Sequence, residues 1–95
     1  MPLSSIAETI QSGLDTSDFT DTLKFDCGDD GVIVIADKKT SLVDQKTDCT
    51  IKISTSNLEK LVAGNLNPMT GVMMGKLKVS GDPSVALKLG QLLKS

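Results

Sequence analysis

Asp26, Asp30, Gly31 and Asp37 stand at four positions of a calcium-loop spacing, and Cys27 and Cys49 are the only thiols of the chain. The calcium pattern breaks where it has to hold. Gly28 stands at a ligand position, Asp37 replaces the bidentate glutamate that closes such loops, and strand-like sequence flanks the segment instead of helices. A Gly-flanked acidic turn, "GDDG" at 28–31, is the better reading. The cysteines lack C-x-x-C spacing, which argues against a zinc site or redox pair and for two buried reduced thiols. A disulfide between them requires neighbouring strands and is unexpected in a reducing compartment.

The missing residue types close more routes than the present ones open. There is no His, Trp, Tyr or Arg, and Phe19 and Phe25 are the only aromatics. Without His there is no Ser-His-Asp or Cys-His arrangement and no imidazole metal site. The composition therefore points away from an enzyme and implies no metal or cofactor. Nucleic acid is a poor partner too: the net charge is −2, and stacking platforms and guanidinium groups are scarce or absent. Charge is uneven, with four Lys against ten acidic residues in 1–48 and six Lys against two in 49–95. The basic half suits transient contact with an anionic membrane surface; the plainer alternative is ordinary solvated lysine.

Such side chains need elements to hold them, and 95 residues suffice for one domain with one core. Hydrophobic residues at 39% and charged residues at 23% are near the globular average. No apolar run reaches the roughly 18 residues that span a bilayer, and the N-terminus lacks the pattern of a signal peptide. The expected location is cytoplasmic.

Leu3, Ile6, Ala7, Ile10 and Leu14 at helical spacing predict a helix over about 4–13, with Ser5 and Glu8 as a capping box and Gly13 as its end. "TLKFDC" at 22–27 alternates like a half-buried strand, and "VIVIAD" at 32–37 reads as a central strand joined to it by the hairpin. A short strand is expected at 41–44, then an alternating strand in "DCTIKIS" at 48–54. Ser56 with Glu59 predicts the cap of a second helix carrying Leu58, Leu61, Val62 and Leu66, ended by Gly64. Asn67-Pro68 opens a short helix that places Met69, Val72 and Met73 on one face and stops before Gly75. Strand "KLKVSG" at 76–81 and a helix opened by Asp82-Pro83, with Val85, Leu89, Leu92 and Leu93 in its stripe, complete the chain. The order is that of an α+β fold with helices on one face of a sheet.

"DCTIKIS" and "LEKLVAGNLNPMTGVMMGKLKVSGDPSVALKL" resemble the sterol carrier protein 2 family of sterol-binding or lipid-transfer domains. The close likeness covers about residues 48–90, and the spacing from Asn67-Pro68 to Gly75-Lys76-Leu77-Lys78 is its specific part. The resemblance implies a five-stranded, mostly antiparallel sheet covered on one face by helices. It also implies an apolar cavity between the layers that takes fatty acids, fatty acyl-CoA, phospholipid or sterol, in a domain that binds without catalysing. Members fused to enzymes of lipid metabolism make such an enzyme a conceivable partner; no oligomeric state is implied. The chain lacks the peroxisomal targeting tripeptide that ends some members.

On this reading the lipid-binding residues are Phe25, Leu58, Leu61, Val62, Leu66, Met69, Val72, Met73, Leu77, Val79, Leu89, Leu92 and Leu93. Met69, Val72 and Met73 suit a wall that adapts to an acyl chain, with ordinary core packing as the alternative. Lys76 and Lys78 should face solvent, because burying two unpaired ammonium groups costs several kcal/mol, and Leu77 and Val79 then face inward. The terminal helix is the expected gate, with Lys88 and Lys94 placed to attract a carboxylate or CoA phosphate. The competing function is a non-carrier protein-interaction domain that keeps the fold and fills the core with side chains.

Overall fold

Among the described residues, period-two alternation and short β-branched runs form five strands, and segments of period 3.6 form four helices. The computed structural model describes residues 3–16 and 19–94, with side chains as far as 89 apart from 68 and 69. The order is α1 (Leu3–Asp15), β1 (Leu23–Asp26), β2 (Val32–Ala36), β3 (Lys39–Ser41), β4 (Cys49–Ile53), α2 (Thr55–Val62), α3 (Pro68–Met73), β5 (Leu77–Gly81) and α4 (Pro83–Lys94). The strands lie in one sheet in the order β3-β2-β1-β4-β5, antiparallel at every junction except the parallel pairing of β1 with β4.

Register turns alternation into rows. Ile33, Phe25, Ile51 and Val79 stand side by side across four strands, as do Ile35, Leu23 and Cys49. Because side chains on a strand alternate in direction, these rows share one face. The helices cover it: Ile6, Ile10 and Leu14 of α1, Leu58 and Leu61 of α2, and Val85 and Leu89 of α4 form one buried cluster with the strand residues.

The polar face is covered in part as well. β2 and β1 lie between β3 and β4 in the sheet, so the connection 42–48 has to cross them. It crosses opposite the helices, where Asp44 pairs with Lys24 at 2.6 Å, and Val34, which alternates with the inward Ile33 and Ile35, is fully buried outside the main cluster.

Several expected boundaries move, each for a local reason. α1 begins before Ser5, which lies in its first turn, and runs through Gly13 to place Leu14 in the core. Burial of Leu14 outweighs the roughly 1 kcal/mol cost of a glycine inside a helix. The third strand is Lys39–Ser41, not 41–44, and the exposed Leu42 and Val43 fall in the crossing segment. Asp37 and Lys38 take φ of 54° and 62°, which turns β2 straight into β3 with a pair of residues that is not the usual Asn-Gly signal. The hairpin at 28–31 forms as expected around a short 3₁₀ turn, with Gly28 and Gly31 at positive φ. Asp26 serves that turn: its carboxylate accepts the Gly28 N–H at 2.9 Å.

Candidate functional site

The residues expected to meet a ligand come from α2, α3, β5 and α4, and each element is fixed by chemistry at its ends. α2 is capped by Ser54, whose hydroxyl accepts the Asn57 N–H at 3.2 Å, and not by Ser56. Strand β4 ends at Ile53, so Ser54 is the first residue free to cap. Gly64, at φ 82°, closes the helix: Gly64 N–H donates to Leu61 O and Asn65 N–H to Lys60 O. That pair of bonds is a Schellman motif, which satisfies carbonyls the helix end leaves open. α3 repeats the device, with the Asn67 side chain accepting the Thr70 N–H at its start. Gly75 at φ 73° closes it through bonds from Gly75 N–H to Val72 O and from Lys76 N–H to Gly71 O. α4 starts at Asp82, whose carboxylate accepts both the Ser84 N–H at 3.0 Å and the Ser84 hydroxyl at 2.7 Å. Those bonds hold the Asp82 carboxyl below its ordinary value.

Six of the expected lining residues, Phe25, Leu58, Leu61, Leu66, Leu77 and Leu89, meet in the buried cluster, with Val62 and Val79 packed at its margin. Lys78 is exposed and Leu77 buried, which is the orientation expected of β5. The methionine wall is a correction. Val72 and Met73 face solvent, and the inward residue of α3 is Gly71. A Cβ on Gly71 would lie 2.9 Å from Leu77 Cδ2 and 3.7 Å from Leu66 Cδ1. The helix sits so close to β5 that a side chain at 71 would displace Leu77, and Val72 and Met73 lie on the outward side. The side chains of Met69, Leu92, Leu93 and Lys94 lie outside the described residues.

The terminal helix is docked where it is described. Val85 and Leu89 are buried, and Lys88 Nζ pairs with Asp21 at 2.9 Å, so that ammonium is held against the segment before β1. Sequence reasoning left α1 out of the candidate lining although Ile6, Ile10 and Leu14 share the cluster; their helical spacing was the available signal.

Cys27 and Cys49 are buried and unbridged: Cys49 begins β4 opposite Leu23, and Cys27 follows the far end of β1. Burial pushes both thiols up; Asp30 and Asp26 reinforce the effect at Cys27, and Asp82 does so at Cys49. A thiol raised in this way stays protonated and inert. Among the described residues the buried set contains no polar or charged side chain.

An apolar interior between one sheet face and four helices, with Asp26 engaged in a turn and Asp82 in a helix cap, defines an α+β domain with no buried charge among the described residues. Comparison with known proteins agrees over nearly the whole chain. The SCP-2 sterol transfer family matches residues 4–94, and this chain belongs to that family. Sterol carrier protein 2 of Bos taurus is 45% identical over 49 residues, which are 52% of this chain and 9% of that protein. The chain thus spans under a tenth of the length of the curated relative it matches. Among solved structures, Sterol Carrier Protein-2 from Aedes aegypti in complex with the C16 fatty acid palmitate has a TM-score of 0.81 at 14% identity, covering 98% of this chain and 94% of that one. Sterol Carrier Protein 2 Like 2 from the same organism has a TM-score of 0.76 at 20% identity, covering 96% and 95%. These likenesses establish the five-stranded α+β fold. No helix among the described residues is long and apolar enough to cross a membrane.

Proposed function

We propose that the chain binds one fatty acyl chain between its sheet and helices and carries it reversibly, with no chemical step of its own. The observation that carries this reading is the interior itself. Among the described residues it is apolar throughout, in a fold whose Aedes aegypti representative was solved with palmitate. The acyl chain lies along Phe25, Leu58, Leu61, Leu66, Leu77 and Leu89, with Val62 and Val79 at the margin. It enters between α3 and α4 at the β5 edge of the sheet, and because α3 lies tightly on Leu77 at Gly71, entry requires α3 to move away from β5.

Binding of this kind is driven by area and needs no catalyst. Each buried methylene contributes about 0.8 kcal/mol, so a sixteen-carbon chain gains on the order of 12 kcal/mol before several are returned in ordering and association. Affinity should therefore fall by about 15-fold for every two carbons removed. Displacement of a fluorescent fatty acid by saturated acids of sixteen, fourteen and twelve carbons measures that slope, and native mass spectrometry of protein purified from cells should find lipid bound. Affinity flat across the series, with no co-purified lipid, would assign the interior to packing alone and leave a partner protein as the ligand.

A further inference from the structure

Met73 is 86% exposed, Met74 61% and Val72 45%, three consecutive apolar residues at the end of α3. They are followed within four positions by Lys76 and Lys78, and the segment 72–81 contains no acidic residue. The Schellman bond from Lys76 N–H to Gly71 O folds the chain back at Gly75, so the apolar tip and the first lysine stand at one corner. That corner adjoins the free edge of the sheet, because β5 is the last strand in the order. α3 lies on the inner face of the edge, against Leu77. On the outer face Lys78 stands directly opposite Lys52 of β4.

Like charges opposed across a strand pair repel. Among the described residues Lys24 and Lys88 each hold an aspartate and the other lysines form no ion pair. Lys38, Lys39 and Lys46, toward the other edge, are interspersed with Asp37 and Asp44, whereas Lys76 and Lys78 lie in a stretch without an acidic residue. α1 offers nothing comparable: it carries Glu8 and Asp15 and no lysine, and its apolar stripe is buried in the core.

We infer that the α3–β5 corner is a docking surface for anionic lipid membranes, with Val72, Met73 and Met74 entering the headgroup region while Lys52, Lys76 and Lys78 meet lipid phosphates and carboxylates. An anionic surface relieves the repulsion between Lys52 and Lys78, and the bilayer removes from water the apolar tip that the fold leaves exposed. The inference rests on the carrier reading, since it puts the docking surface beside the proposed entry between α3 and α4.

Co-sedimentation of the whole chain with phosphatidylcholine vesicles, with and without about one-third phosphatidylserine, tests it. Binding should require phosphatidylserine and weaken as salt shortens the screening length. The double variant Lys76→Glu/Lys78→Glu should lose roughly 30-fold in partition, and Met73→Ser/Met74→Ser roughly tenfold. Leu42→Ser/Val43→Ser removes exposed apolar side chains beyond β3, at the opposite edge of the sheet, and should change nothing. Fatty-acid affinity in solution should stay within about twofold in all three, and circular dichroism checks that each folds. Wild-type protein that ignores anionic vesicles, variants that bind as well as wild type, or an equal loss in the Leu42/Val43 variant would each overturn the inference. So would a salt-insensitive dimer abolished by the methionine variant with vesicle binding unchanged, which would assign the tip to a second copy of the chain. Vesicle binding without affinity for free fatty acid would defeat the carrier reading and leave the docking surface standing.

Discussion

Gly81→Ala should destabilise this protein far more than Gly75→Ala, although both glycines have positive φ, at 91° and 73°. At Gly75 a Cβ meets nothing within 4 Å, so alanine bears only the left-handed backbone cost of about 1–2 kcal/mol. At Gly81 the same Cβ would lie 2.3 Å from Asp48 O and 3.2 Å from both Asp48 C and Cys49 Cα. An ordinary carbon–oxygen contact is about 3.3 Å, so the end of β5 has to move roughly 1 Å away from the backbone ahead of β4. The bond from Asp82 N–H to Asp48 O, 3.0 Å long, lies in the path of that movement. Losing it adds about 1 kcal/mol, and prising apart packed backbone adds more. A stiffer unfolded chain returns about 0.4–1 kcal/mol in both variants. The balance is about 3 kcal/mol or more for Gly81→Ala and about 1 for Gly75→Ala. With a urea slope of about 1 kcal/mol per molar, the two midpoints should differ by roughly 2 M in far-UV circular dichroism. Because Gly81 also sets where α4 leaves the sheet, fatty-acid affinity should fall with it. Midpoints that coincide, or Gly75→Ala as the weaker protein, would refute the close-approach argument.

Val34→Ala should cost about 2 kcal/mol, as for a core residue, while Val43→Ala, at a position 72% exposed, should cost a few tenths. Equal, small losses in urea melts would show that segment 42–48 does not cover the sheet. Asp82 titrates lower folded than unfolded, so its contribution is fully present above its unfolded pKa and is lost as pH falls through the folded one. The stability gap between wild type and Asp82→Ala should therefore be constant from neutral pH down to about pH 5 and close in stronger acid. A gap that persists at about pH 2 would place the stabilisation outside the carboxylate.

The orientation of β5 and the starts of two helices around the candidate site could be read before any fold was known. Leu77 inward and Lys78 outward followed from alternation and the cost of burying an ammonium. The α3 and α4 starts followed from Asn67-Pro68 and Asp82-Pro83, because caps act within a few residues. The third strand was misplaced because Asp37-Lys38 makes a tight turn without the glycine that usually marks one. Ser56 has the stronger local signal, with Glu59 three residues on, and only the end of β4 at Ile53 gives the cap to Ser54.

What the sequence by itself determined is therefore the absence of histidine together with the local periods, the starts of α3 and α4 and the family spacing, the last three set by neighbours a few positions apart. Which side of α3 faces in, and what covers Val34, were decided by the tertiary structure. A period states which residues share a face, and only the close approach of α3 to β5 at Gly71 and the passage of 42–48 over β2 and β1 decide which face is dry. That is why Val72 and Met73, read as a wall for the ligand, lie on the surface instead.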